Sequence, residues 1–287
     1  MKRMPWVLLL LALLALAACN QQTSNNTTNT ASSEDAISNV TASELPVNHA
    51  LYAGAIAATR QNVTLPIPPF LIGSPFGAPL TLDTFAWDCR DVTATGNLSD
   101  PDDDGIPADA HYSGYCSVTG NGTTFKWTLN YDLKDANSAD PLSGFSASGQ
   151  ITWEAVGQAK LVWTINKHEV AKSGGGYNLI YQGNWEYTDY TDPNNNATVN
   201  YDFSGTWTPD DPNGSSLQDI FNRAGTFDMS GSLDVNGSCT AHVSFNTFNI
   251  HFNDDYCADS GNINVSGTDC DGNSYTVSVS WSSCDGP

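Results

Sequence analysis

The chain has 287 residues and carries 31 Asp and Glu against 10 Lys and Arg, a net charge of −21. A chain this acidic repels phosphate backbones and anionic headgroups, which excludes nucleic-acid partners. Beyond a polar N-terminal stretch about 240 residues remain with no second linker, a size at which one β domain is routine.

Lys2 and Arg3 open the chain, and residues 6–18 read WVLLLLALLALAA. This apolar run is too short to span a bilayer and has the length of a signal-peptide core. Leu16-Ala17-Ala18-Cys19 resembles a bacterial lipobox. The resemblance implies cleavage before Cys19, diacylglycerol on its sulfur and an acyl chain on its nitrogen. Two or more chains hold a protein on a membrane where one binds only marginally. Cleavage removes Lys2, Arg3 and no acid, which takes the net charge from −21 to −23. Asn20 is not the Asp that, by the rule of these lipoproteins, retains many of them at the inner membrane. The resemblance therefore implies an extracytoplasmic, lipid-anchored protein, at the outer membrane in preference to the inner.

Residues 20–45 are polar and nearly free of aromatics, cannot bury enough surface to fold, and read as a tether. Residues 46–61 (PVNHALYAGAIAATRQ) fit one short helix. Residues 64–80 (TLPIPPFLIGSPFGAPL) are apolar but broken by proline, which suits neither a helix nor a central strand. The expected organisation is a signal peptide over 1–18 and a lipidated Cys with a disordered tether over 19–45. A helix and Pro-rich covering segment follow over 46–84, and a β domain over 85–287.

From about residue 85 the pattern has period two. Phe125, Trp127, Leu129 and Tyr131 point one way and Lys126, Thr128, Asn130 and Asp132 the other. The same alternation runs through Leu161, Trp163 and Ile165, through Tyr177, Leu179, Tyr181, Trp185 and Tyr187, and through Tyr201, Phe203 and Trp207. It recurs at Tyr275, Val277, Val279 and Trp281. One apolar face per strand means half-buried antiparallel strands. Ser216 to Ala224 is the other helix candidate, with Gly225 as its stop. An apolar-x-apolar-x-Gly pattern recurs at Gly96, Gly149, Gly183, Gly205, Gly231 and Gly267, which puts glycine on the apolar face in mid-strand. Repeated kinks of that kind curl a sheet. The expected fold is all-β: an up-and-down antiparallel sheet of roughly ten to twelve strands, curled into a barrel or half-barrel, with one or two short helices. An ungapped repeat at offset 36 also matches Gly231 with Gly267 and Phe245 with Trp281.

Without Cys19, six cysteines remain, an even count that in an exported chain points to three disulfides. Facing residues of a hairpin are centred on its turn. That centring selects Cys89–Cys116 around the Asp102-Asp103 turn, Cys239–Cys270 around Asn253-Asp254-Asp255, and Cys257–Cys284 around Cys270-Asp271-Gly272. Pairing Cys239 with Cys257 would join opposite strand ends, far beyond the reach of about 7 Å between Cα atoms.

Residues 100–111 read DPDDDGIPADAH. They resemble the Asp-rich calcium loops of thrombospondin type 3 and EF-hand-like repeats. Asp100, Asp102 and Asp104 match positions 1, 3 and 5, Gly105 the sharp turn, and the Ile106 carbonyl the next ligand. Position 12, where a bidentate acid belongs, is His111, and Asp109 is the nearest substitute. The resemblance implies calcium held by Asp100, Asp102, Asp104, Ile106 and Asp109. The plain alternative is a solvated acidic turn. The wider Cys–strand–loop–strand–Cys block also resembles a module of exported bacterial β-proteins and brings no activity with it.

No nucleophile elbow, zinc-protease motif, P-loop or dinucleotide fingerprint is present. His168-Glu169 reads as a surface pair, and Glu154 and Glu186 fall in the outward phase, which argues against a glycosidase pair. The chain is therefore expected not to be an enzyme, with an exported hydrolase a distant rival. The leading expectation is a tethered, non-catalytic protein whose curled sheet holds an apolar ligand or lipid against Trp127, Trp163, Trp185, Trp207, Tyr181 and Phe203. The alternative is a structural or adhesive surface lipoprotein with a filled core, stabilised by disulfides and calcium, that meets a protein partner.

Overall fold

A computed structural model describes residues 93–284 except 121, 239, 255, 256 and 270, with the backbone alone at 116, 120, 127 and 218. Eleven strands follow one another: β1 Thr93–Asn97, β2 Asp109–Gly120, β3 Thr123–Asp135, β4 Gly144–Ala155, β5 Ala159–Ser173, β6 Gly176–Asp189, β7 Ala197–Pro209, β8 Gly225–Gly237, β9 Ala241–Phe252, β10 Ala258–Thr268 and β11 Ser274–Trp281. They form one antiparallel sheet in strict sequence order. The expected up-and-down meander is thus the observed topology. The sheet is curled and open, with β1 and β11 at its two edges, so the half-barrel and not the barrel is realised. One helix, α1 (Leu217–Phe221), bridges β7 and β8. It is shorter than the predicted Ser216 to Ala224, ending at Phe221 before Gly225 opens β8. The expected helix at 46–61 and the Pro-rich segment lie outside the described residues, as does Cys19. Among the described residues no helix is long and apolar enough to cross a membrane.

Tight turns fix the register. Ser173 faces Gly176 across Gly174-Gly175, and Gly174 has φ +61°. Such two-residue hairpin turns need positive φ, which glycine adopts without strain. The register carries the period-two pattern onto one face. Trp163 faces Trp185, Trp207 faces Phe227, and Leu233 faces Val243. The continuous core on that face runs from Leu133 on β3 to Trp281 on β11 and takes in Leu217, Ile220 and Phe221 of α1. The offset-36 repeat does not extend to pairing: Gly231 faces Phe245, whereas Gly267 faces Tyr275.

Extra residues break the alternation on β5, on β9 and, at Asp259, on β10. On β5 the register shifts between Ile165 and Lys167, leaving Asn166 unpaired. A single extra residue moves every later side chain to the other face. His168, expected on the surface beside Glu169, is therefore on the apolar face and 2% exposed. Its ring meets Phe145 at 5.2 Å and Tyr181 at 4.5 Å, and burial pushes its pKa down to about 3, so it is neutral. On β9 the shift falls at Asn249, whose φ is +46°. Asp228 accepts from the Asn249 N–H at 2.6 Å, and Thr247 Oγ1 both accepts from the Met229 N–H and donates to its carbonyl. The backbone groups freed by the bulge are thus satisfied by side chains.

The six predicted glycines are all close-approach points. A Cβ would lie 2.4 Å from the Asp109 carbonyl at Gly96, 2.3 Å from that of Asn130 at Gly149 and 2.1 Å from that of Thr164 at Gly183. It would lie 2.2 Å from the Asp228 carbonyl at Gly205, 2.3 Å from that of Asp202 at Gly231 and 1.9 Å from that of His242 at Gly267. An aromatic ring from the facing residue covers several of them: Tyr201 over Gly183, Phe203 over Gly231 and Tyr275 over Gly267. The curl brings neighbouring backbones so close at these points that only glycine fits, and the rings restore the lost apolar burial.

Of the three expected disulfides, Cys257–Cys284 is present, with Cα atoms 5.5 Å apart. It ties the start of β10 to the end of the edge strand β11. Cys239–Cys270 lies outside the described residues, as does Cys89 of the third pair.

Candidate functional site

The loop between β1 and β2 folds inward. Ala108 N–H donates to the Ser99 carbonyl at 2.9 Å, and the Ile106 side chain is wholly buried in the main core. With Ile106 as anchor, the acids before it cannot all reach solvent. Asp100 is 3% and Asp104 4% exposed. The N–H groups of Asp104 and Gly105 donate to the two carboxylate oxygens of Asp100, at 3.2 and 3.0 Å, and Ile106 N–H donates to Asp104 Oδ1 at 2.7 Å. The loop is wound around its own carboxylates. Oxygens of Asp100, Asp102 and Asp104 come within 4.8 Å of one another. Both oxygens of Asp102 are shut off from solvent without a hydrogen-bond partner.

Asp109 is not among them. It opens β2 opposite Asn97, is largely exposed, and has Lys134 Nζ at 3.9 Å. His111 is also elsewhere, with its Nδ1 2.7 Å from Asp132 Oδ1 on the outer face. The acid that approaches the loop is Asp135, at the end of β3. Ala110 faces Leu133, so the register brings Asp135 alongside the loop, and its N–H donates to the Pro107 carbonyl at 3.1 Å. Hairpin register was the signal that could have found it, since β3 returns directly from the strand that follows the loop.

The electrostatics follow from burial. Desolvation, reinforced by the charge of Asp135, pushes the Asp102 carboxyl up to about 6. Desolvation also pushes Asp104 up to about 7, with Asp102, Asp135 and Asp100 adding to it. Crowding buried anions together is costly, and such a cluster attracts protons or a cation. The donors are all oxygen, the set preferred by hard divalent cations.

The aromatic residues predicted to line a cavity fall into two groups. Trp207, Phe203 and Tyr181 are 0%, 3% and 7% exposed, inside the main core. Trp163 and Trp185 are half-buried and stacked at 4.7 Å, with Trp153 at 6.4 and 6.0 Å. Trp163 Nε1 donates to the Tyr201 hydroxyl at 2.8 Å. Trp127 faces Trp153 in register. An open trough of about 700 Å³ lies on the opposite, polar face, where Asn178, Ser204, Thr206, Ser230 and Asn246 line it beside the exposed Phe248.

Two histidine clusters were not legible in the sequence. Asp234 Oδ1, His242 and Ser244 Oγ form a chain of contacts at 2.7 and 2.8 Å on the outer face. Ser244 lies inside a strand paired on both sides, so its N–H belongs to the ladder. That N–H is therefore committed to the sheet and is not free to serve as an oxyanion donor. His251 sits between Asp259, 2.6 Å from Nδ1, and Asp210, 3.0 Å from Nε2. Hydrogen bonding to Asp210, followed by that to Asp259, raises its pKa above the ordinary value. A raised histidine contributes stability that is fully present below the unfolded value of about 6.5 and is lost as pH rises through the folded value. Substituting His251→Gln is thus expected to destabilise the protein more at pH 5.5 than at pH 9. Equal losses in urea titrations at the two pH values would refute this.

Comparison with known protein families, curated proteins and solved structures returns no match.

Proposed function

We infer that the protein is a non-catalytic lipoprotein, held outside the cytoplasm by lipid on Cys19, whose β domain has a filled core and acts through its surface. In this reading the acidic loop carries a calcium ion that helps hold the domain rigid. The observation that favours this over a carrier of apolar ligands is the burial of Trp207, Phe203 and Tyr181 in the main core, which leaves Trp163 and Trp185 as the half-buried ones among the described side chains expected to line a cavity. A side chain without accessible surface borders no void wide enough even for water, and Trp207, Leu179, Phe227 and Leu233 have essentially none. Among the described residues, the open trough on the outer face is lined by hydroxyl, amide and carboxylate side chains together with Ile180 and Phe248, a mixed and open surface that suits contact with a macromolecule better than enclosure of a lipid.

Two measurements test the reading. Cells fed radiolabelled palmitate are expected to label the full chain and not its Cys19→Ser variant. Equal labelling of both would remove the anchor. Native mass spectrometry of the Cys19→Ser chain is expected to show the polypeptide with calcium that a chelator strips. A co-purifying lipid-sized mass would return the carrier reading to first place.

A further inference from the structure

We propose that Asp135 is the closing ligand of the calcium site and that the ion staples the β1–β2 loop to the β3–β4 turn. This rests on the calcium reading above and goes beyond it, because the site then joins two parts of the chain that no single loop motif contains.

Asp135 is 4% exposed, and its two oxygens have different environments. Oδ1 accepts from Asn137 N–H at 3.0 Å and from Ser143 Oγ at 3.1 Å, which pins the turn that leads into β4. Oδ2 is buried and accepts no hydrogen bond. A buried carboxylate oxygen without a donor is costly in a folded protein and marks a place where a ligand is missing. The Asp135 N–H holds the Pro107 carbonyl of the same loop at 3.1 Å, and its charge raises both Asp102 and Asp104, so Asp135 lies beside the nest. Lys134, the neighbour of Asp135, reaches Asp109 on the other face.

Calcium fits this donor set. It takes six to eight oxygens in a flexible arrangement, and carboxylates from separate segments are acceptable provided that they converge. In a self-contained loop the last acid comes from position 12. Here that position is an outward-facing histidine, and the hairpin supplies the acid from the next strand. The ion bridges the loop that carries Ile106 into the core and the turn that closes β3 onto β4. Calcium therefore holds the β1 edge of the sheet in place.

The test is a calcium titration by calorimetry on the full chain, stripped with chelator, together with its Asp135→Asn, Asp102→Asn and Asp109→Asn variants. Asp135→Asn is expected to weaken calcium binding about tenfold or more, by analogy with loss of groups supporting a metal site. Asp102→Asn should do the same, and Asp109→Asn should leave affinity unchanged. Asparagine can still accept from Asn137 and Ser143, so the turn keeps its hydrogen bonds. A second readout separates ligation from a merely structural role. In chelator, Asp135→Asn removes one of several repelling charges and should melt at or above the wild-type temperature. In calcium it should melt below it. If wild type binds calcium and Asp102→Asn does not, while Asp135→Asn binds as wild type does, the role of Asp135 is overturned and the calcium reading survives. If wild type binds none, both are overturned.

Discussion

Gly183→Ala is expected to destabilise the fold by about 3 kcal/mol, the upper end of the usual cost of overpacking. The new methyl would sit 2.1 Å from the Thr164 carbonyl oxygen and 2.5 Å from the Tyr201 hydroxyl. The first of these is backbone in the middle of the sheet and cannot swing aside. The second belongs to a ring that covers the glycine and accepts from Trp163 Nε1, so displacing it also breaks that contact. Relief requires β5, β6 and β7 to separate locally, against the ladder that joins them. Gly175→Ala, in the β5–β6 turn, is the matched control: no atom lies within 4 Å of its added Cβ, and its φ is not in the left-handed region. That substitution should fall within about 0.5 kcal/mol of wild type. Urea unfolding of the two variants decides the matter. A Gly183→Ala protein as stable as the Gly175→Ala protein would mean that the close approach is not required by the curl.

Removing the Cys257–Cys284 bond by the double substitution Cys257→Ala, Cys284→Ala is expected to cost about 3.5 kcal/mol from the loop-closure entropy returned to the unfolded chain. The two residues are 27 apart in sequence, and the loop they close contains β10, the turn and β11. Among the described strands β11 is an edge, hydrogen-bonded to β10 alone, yet it buries Val277, Val279 and Trp281. Without the bond its C-terminal end is tied by the ladder alone, so the loss should be accompanied by faster amide exchange along β11 than along β8. An unfolding free energy within about 0.5 kcal/mol of wild type would mean that the ladder and the buried side chains already hold the edge.

The residues differ in how much of their role can be read from the chain alone. The alternation at Tyr177, Leu179 and Tyr181 reports directly which side chains face inward, because the strand period is two and one face is apolar. The six glycines were legible for the same reason: a residue without a side chain at an apolar position needs a geometric cause. Cys257–Cys284 followed from centring on a turn. His168 was misread because a single unpaired residue, Asn166, inverts the phase, and nothing in the local composition marks that bulge. Within the acidic loop, Asp100, Asp102 and Asp104 were legible from their spacing. Asp109 was the wrong acid, since the spacing counts residues along one loop and the fold brings Asp135 from another.

The sequence by itself determined the strands, the inward face and the glycine positions of the curl. Each depends on short-range geometry: the alternation of a pleated strand, the conformational freedom of glycine and the length of a hairpin. Only the tertiary structure decided that the sheet stays open, that His168 is buried, that His251 lies between Asp210 and Asp259, and that Asp135 stands beside the acidic loop. Those outcomes depend on register summed over several strands, where one bulge changes every later position. They also depend on which loops the curl brings to the same end of the sheet.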